Sequence, residues 1–124
     1  MKSQYTGLKR ILKAFSYSYY GFRAIFKSEA AFRQDLLVFI LGLLVAMWLN
    51  IALTSKIMLI SSLFLILLAE MINSAIETVI DRISEDYHEL SKKAKDIGSL
   101  VVLTAFINAI FVWCGIVYSA YINV

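Results

Sequence analysis

The chain has 124 residues, 60% of them hydrophobic, with no proline, one cysteine and a strongly positive mean hydropathy. That is too apolar for a soluble domain of this length, so the composition excludes the soluble classes and specifies an all-α integral membrane protein read as one domain, 1–124. The formal charge of +3 hides an asymmetry: seven of the twelve basic residues precede Gln34, Lys56 stands alone, and Arg82, Lys92, Lys93 and Lys95 form the last group.

Leu8, Leu12, Phe15, Tyr19, Phe22 and Phe26 recur at alternating four- and three-residue steps, with Lys9, Lys13, Tyr20 and Lys27 one residue behind. This rhythm predicts a basic amphipathic helix over 5–28, lying along the membrane interface with its aromatic side in the acyl region. Lys2 and its polar neighbours do not resemble a removable signal peptide. Gly21 is a place for a bend or for close packing, or a helix glycine that is simply tolerated. The basic residues read as contacts to anionic lipid head groups or to a nucleotide, and no nucleic-acid partner is expected.

Transmembrane helices are predicted over 34–53, 56–81 and 97–122, each longer than the roughly 17 residues needed to cross a bilayer core. The link Asn50 to Lys56 is short enough to force an antiparallel hairpin. By the positive-inside rule the N-terminal arm and the second loop, 82–96, face the cytoplasm. Charge spacing in that loop suits continuing helix or a helical turn. Cys114, inside the third span, is expected to pack rather than react.

The second span carries the chemistry. Its apolar run, Ile57 to Ala69, leads into Glu70, Asn73, Ser74, Glu77 and Asp81, which fall on one stripe of a helix. An ionisable group after such a run is costly unless it faces protein or a wet cavity, so it marks a function, the alternative being a structural ion pair. Three spans give few walls for the stripe, so a homo-oligomer is expected, with small residues Ala69, Ser74 and Ala75 allowing close helix approach. Counted from Lys56, Glu70 lies about 21 Å along the axis, near the cytoplasmic third of the core. A lipid hydroxyl there meets a water-soluble reagent, which suits Glu70 as general base. Glu77, two turns on, and Glu29 are the candidate ligands for a hard divalent ion. His88, Lys92, Lys95 and Ser99 share a spacing suited to phosphate oxygens. No glycine-rich phosphate loop of the P-loop or protein-kinase type occurs.

Arg10, the run Glu29-Ala-Ala-Phe-Arg-Gln34, the stripe Glu70 to Arg82, and Tyr87-His-Glu-Leu-Ser91 followed by Ala94-Lys-Asp96 and Gly98-Ser99 closely resemble the small bacterial integral-membrane diacylglycerol kinases. The resemblance covers nearly the whole chain. It implies a homotrimer of the inner membrane that moves the γ-phosphate of Mg²⁺-ATP onto diacylglycerol, giving phosphatidic acid, with sites shared between subunits. By position it makes Glu70 the catalytic base with Asn73 beside it, and Glu29 and Glu77 the metal ligands. The nucleotide would be met by Arg10, Tyr17, Glu29, Glu77, Asp86, His88, Lys95 and Asp96, and the lipid substrate by Arg10, Glu70 and Ser99. The chain departs from the pattern at Asp86, where a glutamate usually precedes the tyrosine, and at Tyr19, where tryptophan is frequent.

Three other readings fit parts of the sequence. An undecaprenol kinase would use the same base and metal. A small proton-coupled transporter would explain Glu70 but leave Asn73, Glu77 and the His88–Asp96 segment without a role. A structural membrane subunit would need the carboxylates only for pairing.

Overall fold

A computed structural model describes residues 4–122, so Lys2 and the end of the last apolar run, Val124, lie outside the described residues. Four α-helices follow one another: α1 (Gly7–Ser28), α2 (Ala30–Trp48), α3 (Leu53–Ile83) and α4 (Glu89–Val117), the last continuing into a π-helical turn, Tyr118–Ile122. The last three are long and apolar enough to cross a membrane. At 1.5 Å per residue the 31 residues of α3 measure roughly 46 Å, well beyond a hydrocarbon core of about 30 Å. Its polar end therefore has room to stand clear of the acyl chains.

The chain is continuous helix except where the sequence supplies a reason to stop. Glu29 is the one extended residue between α1 and α2 (φ −117°, ψ 105°), ending one helix and opening the next. Arg33, one turn into α2, reaches back and donates from Nη1 to the carbonyls of Phe26 (2.6 Å) and Lys27 (3.2 Å). A guanidinium thus satisfies carbonyl groups that the end of α1 leaves open, where the helix dipole also favours a cation. At the far end, Asn50 interrupts the apolar sequence and its backbone is held from both sides. Its N–H donates to the Tyr121 hydroxyl (3.1 Å), which in turn donates to its carbonyl (3.4 Å). Lys56 folds back to donate to the Met47 carbonyl, closing the α2–α3 hairpin (3.0 Å).

The second loop, 82–96, is helical at both ends, 82–83 closing α3 and 89–96 opening α4, as charge spacing suits, and breaks from helix only over 84–88. Helix α3 stops at Ile83, because Ser84 turns extended and its hydroxyl accepts the Asp86 N–H at 3.0 Å. Serine offers the backbone this local alternative to helix. His88 then opens α4, its Nδ1 accepting the Leu90 N–H at 3.1 Å.

Both α2 and α4 run antiparallel to α3 and pack on it, so α3 is the centre of the molecule. Leu63, Ile66 and Ala69 of α3 meet Ala105 and Ala109 of α4, with Phe39, Phe106 and Trp113 around them. Phe39 crosses edge-on to Phe64, ring centres 4.6 Å apart. Small residues on α4 allow the backbones to approach, the usual device where lipid removes the hydrophobic drive for helix association. One polar link lies inside this seam: Trp113 Nε1 donates to Ser62 Oγ (3.1 Å), which donates to the Leu59 carbonyl (2.6 Å). A second, smaller cluster of Ile25, Phe32 and Leu67 ties the end of α1 to α2 and α3.

Much of the apolar surface stays open. Helix α1 buries only Ile25, and Leu8 and Phe15 are each 71% exposed. Cys114 is exposed on α4 rather than packed in the core, because the core face of that helix is taken by its small residues and Trp113. Exposure of this extent is ordinary for helices whose outer solvent is hydrocarbon. The molecule is a multi-pass membrane protein.

The α3–α4 seam gives a direct test. Ala109→Leu forces bulk into the close approach and is expected to cost about 1–3 kcal/mol. Ile110→Leu, one residue on at an exposed position, is expected to change stability by less than about 0.5 kcal/mol. Equilibrium unfolding in mixed micelles of denaturing and mild detergent measures both.

A candidate active site on the polar turn of the central helix

The polar stripe of α3 is covered from both sides by the chain itself. Helices α2 and α4 of the same chain supply this cover, while Asn73 and Glu77 stay half-buried and Asp81 is exposed. Glu70 is 8% exposed, and Ser74 and Ala69 are also buried, whereas Ala75 faces out. From α2, the carboxyl group of Asp35 lies beside that of Glu70. From the α1–α2 elbow, Glu29 turns its carboxylate to α3, where Oε1 accepts from Ser74 Oγ at 3.1 Å. Glu29 heads α2, yet its side chain makes no capping bond to that helix. Its acid function is thus left for the site.

One turn further along α3, Asn73 Nδ2 donates to Glu77 Oε1 at 3.3 Å. Glu29 and Glu77 both act electrostatically on Glu70, so three carboxylates and Asp35 share one locality. The local order follows from helical spacing. Asn73 and Ser74 are neighbours that face opposite flanks, one toward Glu77 on its own helix and one toward Glu29 across the gap, with Glu70 a turn before them. Among the described residues, no group of three or more His, Cys, Asp or Glu side chains is arranged to hold a metal by protein ligands alone. Two carboxylates are enough for a hard ion that keeps water and phosphate oxygens as its remaining ligands. Glu29 and Glu77 are two carboxylates brought to the same locality around Glu70.

Beyond the end of α3 lies a separate cavity of about 440 Å³, lined by Asp86, His88, Lys95 and Asp96 among others. These four residues were all expected from sequence to meet a nucleotide, and the loop brings them together. In the free chain their charges are already engaged: Lys95 Nζ lies 3.0 Å from Asp81 Oδ1, and Lys92 Nζ lies 2.6 Å from Asp96 Oδ2. Both pairs are well exposed, so separating them costs little. His88 serves α4 as its N-cap through Nδ1, leaving Nε2 as the ring's other polar atom.

Arg10 and Tyr17 stand exposed on α1, and among the described residues no hydrogen bond or ion pair joins either to the carboxylates. Ser99 is exposed on α4, next to Gly98, which does pack on the polar turn of α3. Asp35 is the residue that sequence reasoning missed. It is the one acid in α2, and its position immediately before the apolar run from Leu36 was the available signal.

Comparison with known proteins decides the family. The model of the family described as prokaryotic diacylglycerol kinase matches residues 16–117. The chain belongs to the prokaryotic diacylglycerol kinase family. It is 46% identical over 119 residues to the diacylglycerol kinase of Escherichia coli strain K12, covering 96% of this chain and 98% of that relative. The diacylglycerol kinase of Pseudomonas aeruginosa strain PAO1 is 43% identical over 111 residues, 90% of each chain. That of Haemophilus influenzae strain Rd is 38% identical over 113 residues, 91% of this chain and 96% of the relative. In this prokaryotic diacylglycerol kinase family member, the Glu29, Glu70 and Glu77 cluster and the loop cavity all lie inside the matched region, whereas Arg10 precedes it.

The acid pair makes a stability prediction independent of catalysis. Asp35→Asn replaces one of two adjacent acids with an amide that donates to Glu70 at every pH. The variant is expected to be as stable as the parent or more stable, by up to about 1.5 kcal/mol, at neutral pH. Detergent unfolding with Asp35→Asn, Glu70→Gln and the double variant checks this, and the two effects should not add.

Proposed function

We propose that the protein is a lipid kinase that transfers the γ-phosphate of Mg²⁺-ATP to the free hydroxyl of diacylglycerol, giving phosphatidic acid and ADP. The family and the names of its relatives support the reaction class and the lipid. The observation that carries the assignment of roles is a buried Glu70 flanked by Glu29 and Glu77 at the polar end of an otherwise apolar helix.

In this reading the hydroxyl of the lipid enters beside Glu70, which takes its proton as the oxygen forms its bond to the γ-phosphorus. The bond between that phosphorus and the bridging oxygen breaks on the opposite side, and ADP leaves. Phosphoryl transfer of this kind needs positioning and electrostatics more than covalent participation by protein. Asp35 holds the Glu70 carboxyl from α2, and Asn73 holds Glu77. Mg²⁺, held by Glu29 and Glu77 with phosphate oxygens and water, would offset charge on the transferring group. Lys95 and Asp96 would leave their present partners for the nucleotide, with Asp86, His88 and Tyr17 beside it, while Arg10 and Ser99 would meet substrate at the membrane edge.

The same reading places the site in the bacterial inner membrane. The N-terminal arm and the second loop are cytoplasmic, where most basic residues gather. Helix α1 would lie in the interface, its exposed aromatic residues among acyl chains. The protein would assemble as a homotrimer, and the open apolar groove of about 500 Å³ between α3 and α4, lined by Leu65, Ile72, Leu100 and Asn108, would receive lipid or a neighbouring helix.

The test follows labelled γ-phosphate from Mg²⁺-ATP into diacylglycerol and, separately, into undecaprenol, using protein purified in mild detergent. Glu70→Gln runs in parallel. Labelling of diacylglycerol that falls roughly 10²- to 10⁴-fold in Glu70→Gln, with assembly unchanged, is the expected result. Labelling of the polyprenol alone would change the substrate. Parent-like turnover in Glu70→Gln would remove the base assignment, and no labelling of either lipid would favour the transporter.

A further inference from the structure

Gly98 lies buried on α4 where that helix crosses the polar turn of α3. A methyl group added at its Cα would overlap Asn73 Oδ1 and stand 3.7 Å from Ile76 Cδ1. The space a side chain would need is filled by the carboxamide oxygen. That oxygen is buried and, among the described residues, accepts no hydrogen bond, while Nδ2 of the same group donates to Glu77. Turning the amide over would set two acceptor oxygens against each other at Glu77, so the carboxylate's need for a donor fixes which atom faces the glycine. A buried acceptor left without a donor is rare in native structures and calls for a cause.

We infer that Gly98 is a positioning residue of the phosphoryl-transfer site: its bare Cα reserves the slot that keeps the Asn73 carboxamide turned toward Glu77. The inference rests on the reading of Glu77 as the carboxylate on the nucleotide side. The obstructing atom is the tip of a side chain rather than backbone. A methyl group at position 98 is therefore accommodated by swinging the carboxamide away, not by parting α3 from α4. The resulting signature is a fold that survives and a Glu77 that loses its donor. A glycine needed only for close helix approach would give the reverse.

The experiment compares Gly98→Ala, Asn73→Ala and the double variant in the full chain, purified in mild detergent. Thermal midpoint, kcat, the KM for each substrate and the free Mg²⁺ concentration giving half activity are measured, together with the side-chain amide resonance of Asn73 without nucleotide or metal. In Gly98→Ala the midpoint is expected to stay within about 4 °C of the parent. Its kcat falls about ten- to a hundredfold and the Mg²⁺ requirement rises severalfold, with the KM for diacylglycerol unchanged. The Asn73 amide resonance shifts, and in the Asn73→Ala background Gly98→Ala adds less than about a twofold effect.

Parent-like kcat and Mg²⁺ response in Gly98→Ala, an unmoved amide resonance, or full additivity in the double variant would each overturn the inference. If Gly98→Ala does not fold, the double variant decides. Recovered assembly locates the overlap at the carboxamide as inferred, and continued misfolding assigns Gly98 to helix packing and overturns it. Failure of the functional reading has a different signature: Glu77→Gln then keeps parent-like behaviour or the parent labels no diacylglycerol, while the amide resonance and the midpoints still report on the Gly98–Asn73 contact.

Discussion

Helix α3 is forced into the centre of the molecule by what it carries. It is long enough to cross a bilayer with several turns to spare, and its second half bears Glu70, Asn73, Ser74 and Glu77 on one side. None of these can face acyl chains without a cost of several kcal/mol, so each has to be covered by protein or reach water. The remaining helices are arranged to meet that demand. Helix α2 brings Asp35 to Glu70, the elbow before it brings Glu29 to Ser74, and α4 brings the bare Cα of Gly98 to Asn73. The apolar seam of Leu63, Ile66, Ala105 and Ala109 holds these elements at the separation the polar contacts need.

The elbow shows how local backbone and distant chemistry are tied together. Arg33 closes the end of α1 by binding the carbonyls of Phe26 and Lys27, which fixes the angle at which α1 leaves α2. Glu29 sits at the hinge of that angle in extended conformation, too early in α2 to be carried by helical geometry. Its reach to Ser74 thus depends on a guanidinium four residues away whose hydrogen bonds, among the described residues, go to the end of α1. A substitution at Arg33 is expected to act on the site through backbone direction, a route that a contact list centred on Glu70 would not reveal.

The three long helices and the stripe on α3 were legible in the sequence because hydrophobic length and helical period are local properties. Glu70, Asn73 and Glu77 announced themselves by standing at the end of an uncharged run. The gathering of Asp86, His88, Lys95 and Asp96 was legible through motif resemblance and is consistent with their lying within a dozen residues of one another. What escaped was whatever depends on two helices meeting. Asp35 escaped because nothing in α2 tells which α3 residue it will face. Gly98 entered only as part of the motif resemblance, since only the approach of Asn73 gives its missing side chain a purpose. The break at Ser84 escaped for a different reason: it rests on a local bond from the Asp86 N–H to the serine hydroxyl, which charge spacing does not report.

The cluster is also a place where stability and chemistry pull apart. Two acids in contact, two more nearby and one buried amide oxygen without a donor form an arrangement that packing alone would not select. An apolar leucine or alanine at any of these positions would suit the surrounding seam better, and sites that retain such costs do so where activity needs them. The distribution of these costs is informative. They are confined to the two turns of α3 from Glu70 to Glu77 and the residues touching them, while the opposite half of the same helix, from Leu59 to Leu67, packs, among the described residues, without an unsatisfied group. The well-packed half offsets the costs of the polar half, and because both are one continuous helix, the apolar seam determines where the carboxylates stand.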